Sequence, residues 1–337
     1  MNRKVVITGA AGFIGSQLAW RLHREGHHVV LIDDLSFGYE TNLLVEGKPF
    51  AELNRIDIRS QEIAPLFEGA DCVFHMAAVS ALPVNQSEPG RAIDINVAGT
   101  ANVLEAARVS GVRRVVFAST SAIYENNTSF PCKEDDPVSP KLIYSLSKWQ
   151  AEKLCESFRV LYGMEIAITR YYNVYGPHQD LHRKSPPFVG YVIRELLSNR
   201  VPILHSTGEQ RRDYVFLEDV NDLNIACMTH PGAATETFNV ASGRAYSVNE
   251  IYDIIASIIG TTIRPEFRPA GRFWEKYPSL FSGKRPLSQQ ILEKEVDKFT
   301  LGDNSKAANV LEWKTRVSIE DGMRMAIDYT RHALGIG

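Results

Sequence analysis

The stretch "TGAAGFIGS", residues 8–16, decides the fold. Gly9, Gly12 and Gly15 stand between an apolar run, "KVVIT", and a run of helical periodicity, "FIGSQLAWRLHREG", closed by Gly26. Glycine at such a turn permits tight backbone and lets the main chain approach a pyrophosphate seated on the helix N-terminus. The GxxGxxG spacing is one residue longer than the GxGxxG fingerprint, and strand-to-helix turns often need glycine for backbone reasons alone. The next apolar run, "HHVVLIDD", ends in Asp33, eighteen residues after Gly15. A carboxylate there accepts hydrogen bonds from an adenosine ribose and repels a 2′-phosphate. Asp33 with Asp34 therefore favours NAD over NADP.

Working outward, "DCVFHMAA", "RRVVFAST" and "EIAITRYYNV" repeat the apolar style, with helical runs "AGTANVLEAARVSG" and "SLSKWQAEKLCESFRVLYG" between them. Strands alternating with helices predict an α/β, Rossmann-type, doubly wound parallel sheet. Beyond about Tyr175 the pattern loosens into Pro-rich loops and separate helices. We expect a NAD-binding domain over residues 1–174 with a return segment near 213–242, and a smaller α/β substrate-binding domain over 175–212 and 243–337. The chain has 337 residues, 44% of them hydrophobic and 23% charged, enough for a sizeable core. A net charge of −3 gives no electrostatic reason to expect nucleic acid or an anionic membrane. No apolar run approaches the roughly 20 residues needed to cross a bilayer, and the N-terminus enters a strand at once, leaving no room for a signal peptide. The four cysteines (Cys72, Cys132, Cys155 and Cys227) form no CxxC. Reduced thiols in a cytoplasm are the simplest reading. The nine histidines show no metal-ligand spacing, so no metal is expected.

A second constellation is "YSLSK", Tyr144 to Lys148. Residues four apart share one helix face, so phenol and ammonium can point into the same space. A free tyrosine, with a pKa of about 10, is a poor base. A lysine cation, helped by a positive nicotinamide, favours the phenolate. Alone the pair is a common accident of surface helices. Here it follows a dinucleotide loop and a strand ending in the hydroxyls Ser119, Thr120 and Ser121.

With these motifs in order, and with "DDLSFGYETNL", "INVAGTANVLEAA", "RYYNVYGP", "QRRDYVFLEDV", "FNVASG" and "SKAANVLEW" besides, the chain resembles the extended short-chain dehydrogenase/reductase family, in its branch of NAD-dependent nucleotide-sugar epimerases and dehydratases. The resemblance implies that Gly9, Gly12, Phe13, Ile14 and Gly15 form the cofactor loop and that Asp57 and Ile58 flank the adenine. It implies that Ala77 and Ala78 line the passage to the nicotinamide and that Asn96 supports the active-site backbone. Thr120, with Ser121 beside it, would hydrogen-bond the reacting sugar hydroxyl. Tyr144 would act as acid and base, and Lys148 would hold the nicotinamide ribose. Asn173 and Arg212 would hold the substrate diphosphate, as a planar guanidinium suits phosphate oxygens. Without the motif, Arg212 reads as the partner of Asp213 or Glu218, and Asn173 as a turn residue at a strand end. His75 reads as a packed core histidine, and Tyr171, Tyr172 and Tyr175 as core and wall.

Several positions depart from the family pattern. Ala81 and Asn85 stand where serines are usual, and Glu125 where a glycine is. Residues 273–299 look like extra material: a surface excursion, a dimer contact, or a lid from which Arg272 or Arg285 reaches phosphate. The expected reaction is epimerisation of a nucleotide-diphosphate sugar at C4 through a transient keto sugar, in a homodimer. Dehydratases of the family continue past the threonine with Asp-Glu, and decarboxylases keep the Glu; this chain has Ser121 and Ala122. Dehydration or decarboxylation is the alternative within enzymes, and a non-catalytic NAD-binding regulator is the reading from a different class.

Overall fold

The computed structural model describes residues 2–336. In chain order, β1 (Lys4–Thr8), α1 (Phe13–Arg24) and β2 (His28–Ile32) lead through the short strands β3 (Leu44–Val45), β4 (Lys48–Pro49) and β5 (Leu53–Asn54) to β6 (Cys72–His75). Next come α2 (Leu82–Ser87), α3 (Pro89–Ile93), α4 (Thr100–Val109), β7 (Arg114–Thr120), α5 (Ile143–Tyr162), β8 (Glu165–Tyr171) and β9 (Asn173–Tyr175). The remainder holds α6 (Phe188–Leu197), β10 (Ile203–His205), β11 (Arg211–Phe216), α7 (Leu217–Thr229), β12 (Thr237–Val240), β13 (Ala245–Ser247), α8 (Val248–Ile259), β14 (Glu266–Arg268), α9 (Gln289–Asp297), α10 (Ser305–Leu311) and α11 (Ile319–Ala333).

Seven strands make one sheet in the order β12-β8-β7-β6-β1-β2-β5, every pair parallel. Parallel strands are covered on both faces, so their sequences are continuously apolar rather than alternating. All seven residues of β7 are buried. One face is covered by α1 and α7, whose Leu18, Leu22, Val220 and Leu223 pack with Val5, Ile7 and Leu31; the other by α4 and the inner side of α5. The strand order reverses at β1 and β6, the switch point at which open sheets of this kind form a crevice at the carboxyl ends of their strands.

A third core gathers Tyr175, Val192, Ile193, Phe216, Ile251, Ile255, Met323 and Ile327 from α6, α8, α11 and a three-stranded sheet, β13-β11-β9. The return to the large sheet runs through α7 and β12. Residues 211–216 pair in the small sheet, Tyr214 to Phe216 with Asn173 to Tyr175 and Arg211 to Asp213 with Ala245 to Ser247. The apolar pattern of "DYVF" fits either sheet; only the pairing partner separates them.

His75 is fully buried, as the sequence indicates, with Nδ1 2.7 Å from Thr8 Oγ1 and Nε2 2.9 Å from Thr100 Oγ1. Thr100 gives its only hydroxyl proton to the Asn96 carbonyl, so His75 donates from Nε2 and accepts the Thr8 hydroxyl at Nδ1. Burial holds the imidazole neutral, its pKa pushed down to about 3. Tyr171, Tyr172 and Tyr175 are likewise buried. Among the described residues no group of His, Cys, Asp or Glu could hold a metal ion, and no helix is long and apolar enough to cross a membrane.

Candidate active site

The glycine loop fits a dinucleotide by what it excludes. Gly9 has φ +69°, and a Cβ there would lie 2.6 Å from the Ala77 nitrogen; a Cβ on Gly15 would lie 2.1 Å from the Gly9 carbonyl oxygen. The first turn of α1 carries neither a capping side chain nor an acidic residue. Its free N–H groups, around Phe13 and Ile14, face the place a pyrophosphate takes. Asp33, at the end of β2, accepts the Ala11 amide at Oδ2 (2.9 Å) and the Leu35 amide at Oδ1 (2.8 Å). Each oxygen keeps a lone pair for a ribose hydroxyl. Asp34 turns to the Ser36 amide and hydroxyl. Asp57 is forked by Arg59, with Nη2 to Oδ2 at 2.6 Å, and the Ile58 carbonyl is fixed by Asn102. These residues fit NAD. Purified without added nucleotide, the protein should release NAD(H) on denaturation and bind NAD well ahead of NADP. Equal affinity for the two would remove Asp33 from this role.

Asn96 sits in a π-turn spanning Asp94–Gly99, a local geometry frequent at functional sites. Its Oδ1 accepts the Val79 amide at 2.8 Å, and its Nδ2 donates to Ser147 Oγ on α5 at 3.0 Å. It thus joins the backbone after Ala77 and Ala78 to the helix carrying Tyr144. Asn85 is fully buried and holds the Val79 and Ala81 carbonyls, so it buttresses this wall from behind.

At the carboxyl end of β7, Thr120 accepts the Ala122 amide at 3.1 Å and opens a helical turn over Ser121–Tyr124. Its side chain stands close enough to the Tyr144 phenol to lower the phenol's pKa. Burial raises the phenol above its ordinary value; the Thr120 hydrogen bond and the positive field of Arg183 pull it down without cancelling that effect. Lys148, 3% exposed, lies with Nζ 4.1 Å from the Phe117 ring centre, its pKa pushed down to about 8 by burial. Besides Lys148, four residues along the same helix, Arg183 brings positive charge toward the phenol. Arg183 lies in "LHRKSPP", a basic pair inside a Pro-bounded loop; that pairing was its only mark in the sequence.

Arg212 contacts neither Asp213 nor Glu218. Its guanidinium donates to the carbonyls of Val296 (2.8 Å) and Glu295 (3.1 Å) in the last turn of α9. Asp213 turns instead to Ser242, Gly243 and Gly302, and the neighbouring Arg211 pairs with Glu250 at 2.8 Å. Asn173 donates to the Asp213 carbonyl at 2.9 Å and to Thr300 Oγ1 at 3.3 Å. Arg272 is exposed and paired with Glu275, and Arg285 is exposed as well. Residues 273–299 build a small core of Trp274, Leu280 and Leu292 on Leu142, two positions before Tyr144, with Leu82 alongside.

A family model described as "NAD dependent epimerase/dehydratase family" matches residues 5–241. The chain is 32% identical to a UDP-glucose 4-epimerase of Mycolicibacterium smegmatis, over 98% of this chain and 99% of that protein. Its structure is similar to that of the UDP-glucose 4-epimerase of Thermotoga maritima with UDP-glucose, at 30% identity and a TM-score of 0.86, covering 98% of this chain and 99% of that one. It is also similar to the Thermus thermophilus UDP-glucose 4-epimerase complex with NAD, at 26% identity and a TM-score of 0.80, over 98% and 99% of the two chains.

Proposed function

The chain belongs to the NAD-dependent epimerase/dehydratase family, and from that premise we propose that it inverts C4 of a nucleoside-diphosphate sugar, with a uridine nucleotide as in its relatives. The observation that carries this reading is the meeting of Thr120 and Tyr144 with no free carboxylate beside them. NAD supplies the acceptor for the hydride from the reacting carbon and the donor that returns it. The chain's own residues do the rest. Thr120 holds and polarises the C4 hydroxyl. Tyr144 takes its proton and later gives one back, at the phenolic oxygen. Positive charge brought near the phenol, including that of a loaded cofactor site, favours its basic form. Lys148 has no carboxylate partner among the described residues, leaving its ammonium free for ribose hydroxyls. Ser121 lines the sugar, and Arg212 and Asn173 bind the diphosphate by exchanging their present protein acceptors, the α9 carbonyls, the Asp213 carbonyl and Thr300 Oγ1, for phosphate oxygens.

We infer further that residues 1–174 with the return segment hold the cofactor, that 175–212 and 243–337 hold the substrate, and that 273–299 cover the sugar. Val109 of α4 and Val160, Leu161 and Tyr162 of α5 are exposed apolar side chains suited to a homodimer contact. All four cysteines are unpaired and buried, which fits a reducing cytoplasm. A panel of nucleotide sugars incubated with the protein and resolved by NMR tests the reaction. A 4-epimer from at least one of them is expected; wild-type protein that converts none contradicts an enzymatic role.

A further inference from the structure

The helix bearing Tyr144 and Lys148 starts without a cap of its own. Its N-cap residue is Leu142, whose side chain accepts nothing, and Tyr144 is only the second residue of α5. The amides of a first turn need acceptors, and α5 receives them from other parts of the chain. Glu125 Oε1 accepts the amides of Leu142 (3.0 Å) and Lys141, and Glu125 Oε2 accepts the Ser145 hydroxyl at 2.7 Å. Gln86 Oε1, from α2, accepts the Ile143 amide at 2.7 Å. A carboxylate suits this place, since it meets the positive end of the helix dipole.

Glu125 directly follows the helical turn that Thr120 opens. One side chain therefore fastens the turn after Thr120 to the turn that carries Tyr144. We propose that Glu125 is a positioning residue that sets Tyr144 against Thr120, and that it is not an acid or base for the sugar. Both of its oxygens are engaged with α5, so a proton-transfer role would require it to release the catalytic helix. The proposal rests on the C4 epimerase reading for its kinetic consequence, while its structural consequence can be measured without substrate.

The test combines Glu125→Ala and Glu125→Gln with steady-state kinetics and amide hydrogen exchange. Glu125→Ala should lower kcat by about 10- to 100-fold, the scale of a small misplacement of reacting groups. KM and bound NAD should stay close to wild type. Exchange in residues 141–147 should quicken by about fivefold, as expected for loss of one capping interaction. Glu125→Gln keeps an acceptor oxygen for the two amides and can donate to Ser145, so it should restore most of the activity and protection. Should the alanine variant not fold, Glu125→Asp, one methylene shorter, should produce the same changes in smaller measure. Unchanged exchange in 141–147, or wild-type kcat in the alanine variant, would overturn the proposal. So would a glutamine variant as inactive as alanine but with protection intact, because the ionised carboxylate would then be taking part in the chemistry. Failure of the epimerase reading would appear separately, as a wild type without turnover and an exchange pattern that still responds.

Discussion

Tyr144→Phe is expected to fold like the wild type and to lose about 10²–10⁴-fold in turnover, the share general acid–base catalysis supplies. The substitution keeps the ring and removes one oxygen, the phenolic one whose pKa Thr120 lowers. The helix is fixed independently of that oxygen, by Glu125, Gln86 and the Asn96–Ser147 bond. Thermal unfolding should therefore move little while kcat collapses. Activity within a few-fold of wild type would mean that another group moves the proton.

The other large effect falls on stability. Behind the site, Glu152 and Arg170 form a pair whose side chains are 1% and 8% exposed, with Nη2 to Oε2 at 2.8 Å and Nε to Oε1 at 3.1 Å. The Ser119 hydroxyl adds a bond to Glu152, and Arg170 reaches the Tyr124 hydroxyl at 2.6 Å. Removing one partner strands a buried charge, so Arg170→Met should cost about 3–5 kcal/mol in urea unfolding. Replacing both, Glu152→Met with Arg170→Met, should cost less than the single change, because no charge is then left unpaired. A loss below about 1 kcal/mol for Arg170→Met would show that water reaches the pair.

The parts of this site legible in the sequence are those whose physics is local. Three glycines before a helix, an acid at the end of the second strand, and Tyr144 four residues before Lys148 each carry their reason within a few positions. His75 and the three tyrosines declared themselves through the apolar strands around them. What stayed hidden depends on long-range meetings. Glu125 reads as a bare departure from a glycine pattern until α5 arrives sixteen or more residues later with uncapped amides. Glu152 and Arg170 lie on different elements, and nothing in "QAEKL" or "AITRY" pairs them. Arg212 and Arg211 are neighbours with equal claims on an acid; β13 and α8 decide that Arg211 meets Glu250 while Arg212 faces the end of α9. Strand β11 meets the same limit, since an apolar run reveals a strand and not its partner.

In the proposed reaction this site moves one hydride and one proton at a single carbon and does no chemistry at C5. Ser121 and Ala122 stand where dehydratases of the family carry an acid pair; Glu125 is bound at the start of the catalytic helix through both oxygens, and Glu152 is paired with Arg170. The measurement is turnover of a nucleotide sugar in D₂O, with the products read by NMR. The C4 epimer with no deuterium on any carbon is expected, because the hydrogen taken from C4 is returned to it without meeting solvent. Deuterium at C5, a stable 4-keto-6-deoxy product, or released CO₂ would contradict it.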